Sequence, residues 1–423
     1  MDSKSLLLPL LFLLSAALLF PAASGGGLCI NYGRIANNLP SPEAVARLVG
    51  TIHAAKIRIY DTEQRVLRAF AGTNVEITVG LGNEYLASMA DYPTALAWVK
   101  SNVTCYMPQT KITSIAVGNE VLTADGAVRP DDLLASSSTA SPKDLLPAME
   151  NIHKALDSLG YASRVSVTTA HNLGILNVSY PPSAGEFHRE LNQYLKQILD
   201  FHCKTGSPFM INAYPYFAYR DNPKHISLEF VLFEANGTDV VVDPATGLHY
   251  DNMFEAQIDA AHAAMEKLGY KNVCLQVSET GWPSDGDEAG ATTDNAKTYN
   301  TNLLKLINSR KGTPMRPDLD LNVYIFALFN ENLKPGPKSE RNFGLFKPDM
   351  TPVYELFNLN GGSGGTPQTG TPQLGPPAVV MPSPDGYIID GAGRLRFNRG
   401  GAFLSFLCTV VSTILLRYYS GFM

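Results

Sequence analysis

The chain has 423 residues and a formal net charge of −6, with 33 basic and 39 acidic side chains. Because acids and bases are mixed along the chain and form no basic block, the sequence argues against nucleic-acid binding. The chain is longer than a domain with one small hydrophobic core, but one large barrel could include most of its residues.

Residues 1–24 have the layout of a secretory signal peptide. Lys4 precedes a long apolar run, and small residues at Ala22 and Ala23 indicate cleavage near Ser24. An N-terminal membrane anchor is the alternative, although no basic flank follows the run. Three Asn-x-Ser/Thr triplets agree with secretion and are predicted glycosylation sites, namely Asn102, Asn177 and Asn236.

Residues 25–360 alternate β-prone runs with helical stretches. Most of the runs are continuously apolar or β-branched, as is typical of strands covered on both faces. The predicted strands are Leu28–Tyr32, Lys56–Tyr60, Glu76–Leu81, Ile112–Val117, Arg164–Thr169, Phe209–Ala213, Val273–Ser278 and Asn322–Leu328. Two helices are predicted to begin with a Ser N-cap followed by Pro, at Ser41 and Ser141. Other predicted helices are Glu186–Phe201, Met253–Leu268 and Asn295–Asn308.

This alternation predicts an α/β fold, a (β/α)8 TIM barrel, as a single domain over residues 25–360. A doubly wound open sheet is the alternative that spacing alone leaves open. Against it, no Gly-rich dinucleotide fingerprint follows any predicted strand. The long segment 217–249 is predicted to be an excursion on the barrel rim after strand 6.

The C-terminal region changes in composition. Residues 361–386 are rich in Gly and Pro and are predicted to be a linker. Residues 387–423 combine small residues near Asp390, a polar spacer and an apolar run, Ala402–Leu416, which is short for a membrane helix. This arrangement predicts a GPI-attachment signal that is removed on maturation, and a short single-pass anchor is the alternative.

The five cysteines are Cys29, Cys105, Cys203, Cys274 and Cys408. The first four are widely separated, which is unlike a disulfide-dense scaffold. Cys29 and Cys274 lie in apolar runs and are predicted to be buried thiols. No Cys or His pair has metal-ligand spacing, so we expect neither a metal nor another cofactor.

Acids, amides and aromatic residues follow the ends of the predicted strands, where barrel enzymes place their active sites. Glu120 and Glu279 end the fourth and seventh strands, which lie across a barrel from each other. Two such carboxyl groups can hydrolyse a glycosidic bond. Asn119 could bind a sugar hydroxyl, and Trp282 and Tyr214 offer flat faces for sugar rings. Taken singly, each of these residues is as consistent with a salt bridge or with packing.

Four segments resemble glycoside hydrolase family 17, the plant β-1,3-glucanases. They are CINYGRIANNLPSPEAV, VGNEVL, SETGWPSDGDEAGAT and FALFNENLKPGPKSERNFGLFKPD, in the order of the family. The resemblance runs from about Cys29 to Phe357. It implies a (β/α)8 barrel that hydrolyses internal β-1,3-glucosidic bonds with retention.

The resemblance also implies residue roles. It makes Glu279 the nucleophile and Glu120 the proton donor, and it places Tyr32 on the sugar side. Supporting polar positions of the last loop are matched by Glu331, Lys334 and Glu340. Many plant relatives carry a Cys-rich carbohydrate-binding module, whereas here Asn360 leads directly into the Gly/Pro-rich segment.

The resemblance also suggests a β-1,3-glucan such as callose as substrate. The predicted signal peptide and attachment signal favour the outer cell surface or the cell wall, and we expect a monomer. A glucan transglycosylase and a wall-glucan-binding protein without turnover remain alternatives. Both glutamates are present, which argues against the second alternative but does not exclude it.

Overall fold

The structure is a computed structural model that describes residues 27–122 and 141–357. The predicted signal peptide, the linker, the predicted attachment signal and Cys408 all lie outside the described residues.

Eight parallel strands close into a barrel, which confirms the predicted fold. Around the barrel the order is β1, β8, β7, β6, β5, β4, β3, β2, so strands adjacent in the sequence are also neighbours in space. The strands are β1 Leu28–Asn31, β2 Ala54–Arg58, β3 Glu76–Leu81, β4 Ile112–Asn119, β5 Ser166–Asn172, β6 Phe209–Asn212, β7 Leu275–Thr280 and β8 Val323–Ile325.

Helices follow the strands and cover the outside of the barrel. They are α1 Pro42–Thr51, α2 Gln64–Ala69, α3 Leu86–Met89, α4 Tyr92–Asn102, α5 Pro142–Ser158, α6 Asn192–Thr205, α7 Pro215–Asp221, α8 Leu228–Val231, α9 Met253–Lys267 and α10 Thr293–Asn308. Ser41 caps α1 as predicted, because its hydroxyl accepts from the Ala44 amide at 3.3 Å. Ser141 is the N-cap of α5 in extended conformation, without a side-chain bond to the helix.

The predicted helix Glu186–Phe201 begins too early. Residues Glu186–Phe187 instead pair antiparallel with Leu176–Val178 in a small ribbon. The helix α6 starts only at Asn192. Helical periodicity could not show this, because the ribbon depends on pairing with residues outside the segment.

The excursion after β6 is present and carries α7, α8 and a short hairpin, Val241–Val242 with His249–Tyr250. Asp243 fastens the hairpin to the loop after β5, since its carboxylate accepts from the Ser183 amide and hydroxyl, both at 2.8 Å. The excursion is therefore fixed against the loop after β5 and forms one wall of the barrel rim.

The described cysteines are free, and their burial differs from the prediction in one case. Cys29 is buried in β1 as expected. Cys274 is exposed, because it lies one residue before β7 begins. Among the residues that the structure describes, no helix has the length and apolar character to cross a membrane.

Candidate active site

Glu120 follows β4 directly and has a backbone conformation that few non-glycine residues adopt. Its φ is +54°, and Gly118 two residues earlier has a φ of +67°. The Glu120 amide still donates to the Ala170 carbonyl of β5 at 2.8 Å. Asn83 holds the strand end, because its side chain bonds both the amide and the carbonyl of Asn119. The strained backbone thus aims Glu120 from a rigid strand end, as is common at functional sites.

Two side-chain amides bind the Glu120 carboxyl group. Asn212 at the end of β6 donates to Oε1 at 2.7 Å. Asn172 at the end of β5 donates to Oε2 at 3.3 Å. These donors fix the orientation of the carboxyl group.

Glu279 lies near the end of β7 and is only 7% exposed. The Arg58 guanidinium donates to its Oε1 from Nη1 at 2.9 Å, and the Tyr214 hydroxyl donates to its Oε2 at 2.9 Å. A cation and a phenol donor stabilise a negative charge on this carboxylate. Burial, followed by the charge of Glu279, raises the pKa of Tyr214 well above its ordinary value, so its hydroxyl remains a donor.

Arg58 also bonds to residues that lie next to each of the two glutamates in the sequence. Its Nη1 also donates to the Ser278 carbonyl at 3.1 Å, and its Nη2 donates to Asn119 Oδ1 at 2.8 Å. Although burial alone would lower it, the pKa of Arg58 is raised by Tyr60 and Glu279. Ser278 in turn donates to Asn212 Oδ1 at 2.7 Å, so a continuous polar network connects Glu279 with the amide that holds Glu120.

The loop after β8 brings Glu331, Lys334 and Glu340 to the same cleft. Lys334 Nζ lies 3.1 Å from Glu340 Oε2 and 4.2 Å from the centre of the Phe326 ring. Burial alone would lower the pKa of Lys334, but the charges of Glu340, Glu331 and Glu279 raise it. The lysine thus stays a cation. Burial raises the pKa of Glu331, against the opposing effect of Lys334.

One cleft of about 560 Å³ is lined by both glutamates, by Asn119 and by the three residues of the loop after β8. Its lining also includes the flat faces of Tyr60, Tyr214, Phe217, Phe326 and Phe343. Aromatic faces beside charged and amide groups suit a sugar ring, which has apolar C–H surfaces and polar hydroxyls. Two carboxyl groups that are held by different donors in one cleft can together break a glycosidic bond.

Two residues predicted to bind substrate lie outside the cleft. Trp282 is fully buried, and its indole N–H donates to the Gly290 carbonyl at 2.7 Å. Tyr32 is 2% exposed and packs edge-on against Phe329. Both side chains lie in the packing, because a strand-end aromatic residue can point between barrel and helices as well as into the mouth. Their binding of substrate stays a prediction. Asn119, Tyr214 and the three residues of the last loop do line the cleft.

The sequence reasoning missed two residues of the site, Arg58 and Asn212. Arg58 is a charged residue inside the otherwise apolar run Ile57–Tyr60, which is the signal that could have identified it. Asn212 similarly interrupts an apolar strand just before Tyr214. A polar residue inside a buried strand needs a partner, and at a strand end the partner can be a catalytic group.

The three predicted glycosylation sites differ in exposure. Asn177 and Asn236 are exposed, whereas Asn102 is half-buried and its side-chain amide donates to the Trp98 carbonyl at 3.0 Å. Within residues 27–122 and 141–357, no group of three or more His, Cys, Asp or Glu side chains is arranged to hold a metal ion.

Comparison with known proteins identifies close relatives. The family described as glycosyl hydrolases family 17 matches residues 28–357. Glucan endo-1,3-beta-glucosidase 11 of Arabidopsis thaliana is 51% identical over 83% of this chain and 80% of its own length. Glucan endo-1,3-beta-glucosidase 10 of the same plant is 55% identical over 77% of this chain and 75% of its own length.

A solved structure agrees with the sequence matches. CJP38, a beta-1,3-glucanase and allergen of Cryptomeria japonica pollen, is 42% identical with a TM-score of 0.72. The match covers 78% of this chain and 98% of that chain. On the family match, the identities and the barrel, the chain belongs to glycosyl hydrolases family 17.

Proposed function

We propose that this protein hydrolyses internal β-1,3-glucosidic bonds of β-1,3-glucans such as callose, with retention of configuration. The observation that carries the proposal is the pair of differently held carboxyl groups, Glu120 and Glu279, in one aromatic-lined cleft. The relatives named as β-1,3-glucanases support the choice of linkage, because they share more than 40% of their residues with this chain over most of its length.

In the first step, a Glu279 oxygen attacks the anomeric carbon while the glycosidic bond breaks. Glu120 transfers its proton to the departing oxygen, and a covalent glycosyl ester on Glu279 results. Arg58 and Tyr214 hold Glu279 in one orientation until the attack. Asn119, which is fixed by Arg58, is positioned to bind a hydroxyl of the reacting sugar.

In the second step, Glu120 acts as the base. It removes a proton from water, the water oxygen attacks the anomeric carbon, and the ester bond to Glu279 breaks. Two inversions give net retention. If a sugar hydroxyl replaced the water, the same intermediate would be transferred to a second glucan chain.

Hydrolysis of a defined β-1,3-glucan hexamer by the purified protein tests this proposal. We expect shorter oligomers from internal cleavage, measured by mass spectrometry over time. Accumulation of chains longer than the hexamer would favour the transglycosylase, and an unchanged hexamer that still binds would favour the wall-glucan-binding protein.

We further propose that the mature protein acts as a monomer at the outer face of the plasma membrane, in contact with the cell wall. The predicted signal peptide and attachment signal support this location.

Treatment of plant membranes with a phosphatidylinositol-specific phospholipase tests the lipid anchor. We expect the protein to move to the soluble fraction together with a control GPI-anchored protein. Retention in the membrane with an intact tail peptide would instead indicate a single-pass anchor.

A further inference from the structure

The loop after β7, residues 284–292, turns back on itself and is fixed at its base. The Gly290 carbonyl accepts from the Trp282 indole at 2.7 Å and from the Asn295 side chain at 3.0 Å. The Thr293 hydroxyl donates to the Ser284 carbonyl at 3.0 Å. The loop is therefore a rigid extension of the strand that carries Glu279.

Glu288 in this loop reaches the loop after β8. The Ser339 hydroxyl donates to Glu288 Oε1 at 2.6 Å, and Ser339 is completely buried. The contact is tightly packed, because a Cβ on Gly286 would lie 2.6 Å from Glu288 Oε2 and 3.0 Å from the Ser339 Cβ. Only glycine fits at position 286 without displacing the pair.

Ser339 belongs to the short 3-10 turn Lys338–Arg341, which also carries Glu340. Glu340 is the partner of Lys334 at 3.1 Å in the cleft. The end of the turn is tied by the Ser284 amide and hydroxyl, which donate to the Asn342 carbonyl at 2.9 Å and 3.0 Å. The Glu288 contact holds the middle of the turn, one residue from Glu340.

Two further buried polar atoms lie near this contact, Glu288 Oε2 and the Tyr216 hydroxyl. Burial raises the pKa of Tyr216 to about 12 and the charge of Glu288 adds to the rise, whereas the interaction with Ser339 opposes it. Tyr216 is therefore a donor, and it lies two residues from Tyr214, the partner of Glu279. Glu288 sits in a polar site beneath the cleft wall, where three loops meet.

We propose that Glu288 is a positioning residue: through Ser339 it holds the turn that carries Glu340, and so keeps Lys334 in place in the cleft that contains Glu279. The inference rests on the proposed function. Glu288 does not line the cleft, so it acts through residues that do. Loss of the contact would let the turn shift, and misplacement by about 1 Å far from the reacting atoms can cost up to a hundredfold in rate.

The same two loops provide a matched control. Lys338 Nζ lies 2.9 Å from Asp285 Oδ1, but both side chains are about half exposed, at 44% and 54%. An exposed ion pair of this kind contributes little. Asp285→Ala therefore removes a contact between the same loops without affecting the buried one.

The test compares Glu288→Ala, Ser339→Ala, the double variant, Glu288→Gln and Asp285→Ala on a β-1,3-glucan oligomer. We expect both single alanine variants to lower kcat by about tenfold. The double variant should be no worse than either, because the two residues act through one bond. Glu288→Gln keeps an acceptor for Ser339 and should retain most activity, and Asp285→Ala should stay within twofold of the wild type.

Turnover per folded molecule separates positioning from stability. With the folded fraction of each variant measured by circular dichroism, Glu288→Ala and Ser339→Ala should still turn over about tenfold more slowly per folded molecule, which a loss of stability alone would not produce. If both variants fold and keep wild-type kcat, the inference is wrong. A wild-type protein that does not cleave β-1,3-glucan would instead contradict the proposed function.

Discussion

At the scale of single residues, the two glutamates of the site differ in the groups that bind them. Glu279 is bound by a guanidinium and a phenol, whereas Glu120 is bound by two neutral amides. The first environment places a positive charge and a phenol donor against the carboxylate that attacks. The second orients the carboxyl group that passes a proton to the leaving oxygen and takes one back.

Glu279→Gln should fold and lose nearly all hydrolysis. The amide keeps the size of the side chain but cannot attack the anomeric carbon. The loss should be on the order of a thousandfold or more in kcat. Glu355→Gln, which changes an exposed glutamate far from the cleft, is the control and should keep full activity. Near wild-type turnover by Glu279→Gln on laminarin-type glucan would contradict its assignment.

Glu120→Ala should lose activity on glucan but much less on an activated aryl glucoside that the enzyme can still bind, because that leaving group needs no proton. Azide can enter the space of the missing carboxyl group and attack the intermediate. We expect added azide to restore turnover in part and to yield the β-glycosyl azide. The α-azide would be inconsistent with retention.

Arg58→Ala should lower kcat/KM by about a hundredfold or more, because it removes a charged hydrogen bond from Glu279 and one from Asn119. Arg58→Lys keeps the charge but cannot reach both oxygens in the same geometry, so it should be intermediate. Kinetic measurement of both variants checks this order. Equal activity of Arg58→Ala and the wild type would remove Arg58 from the mechanism.

At this scale the sequence predicted the carboxyl pair but only part of its surroundings. Glu120 and Glu279 stand at strand ends within recognisable segments, so position and resemblance agreed. Arg58 and Asn212 escaped notice because their partners come from strands distant in sequence. The direction in which Trp282 points depends on packing against Tyr216 and Tyr299, which no local pattern encodes.

At the scale of elements, all eight predicted strands exist, because strands buried on both faces give continuous apolar runs. Their ends differ from the prediction by several residues where a strand continues into polar residues. β4 extends to Asn119 and β5 to Asn172, since barrel pairing continues there. Polar residues that belong to the site thus lie on strands that the apolar pattern alone would have ended earlier.

Helix α9 carries two buried acidic residues, Glu255 and Asp259, which form a polar seam and make the stability of the fold depend on pH. Burial, together with the charges of Asp251 and Asp259, raises the pKa of Glu255 from 4.5 to about 7. Asp259 accepts from the Tyr250 hydroxyl at 2.9 Å and from the Met315 amide at 2.8 Å, so the seam connects α9 with the hairpin and with the loop before β8.

Because the folded state binds the proton of Glu255 more tightly than the unfolded state, this group favours folding most below pH 4.5. Its contribution declines as pH rises to about 7, by roughly 3 kcal/mol at most. Glu255→Gln should therefore gain stability relative to the wild type at pH 8 but not at pH 4.5. Thermal midpoints at both pH values measure the effect, and an equal difference at the two values would contradict it.

At the scale of the whole molecule, the barrel brings residues from six strand ends into one cleft. The lining residues follow β1, β2, β4, β6, β7 and β8, so the cleft crosses the mouth of the barrel. The sequence could predict the barrel from the alternation of elements, but not the shape of the cleft. That shape depends on where the excursion after β6 and the loop after β8 pack.

The configuration of the first products tests the central claim most directly, namely that Glu120 and Glu279 cleave β-1,3-glucan through a covalent intermediate. Retention requires carboxyl groups about 5–5.5 Å apart, whereas inversion requires roughly 6.5–9.5 Å. Proton NMR at early times, before mutarotation, measures the new reducing ends released from a β-1,3-glucan hexamer. We expect the β-anomer to appear first and the α-anomer later. Initial release of the α-anomer would contradict the claim.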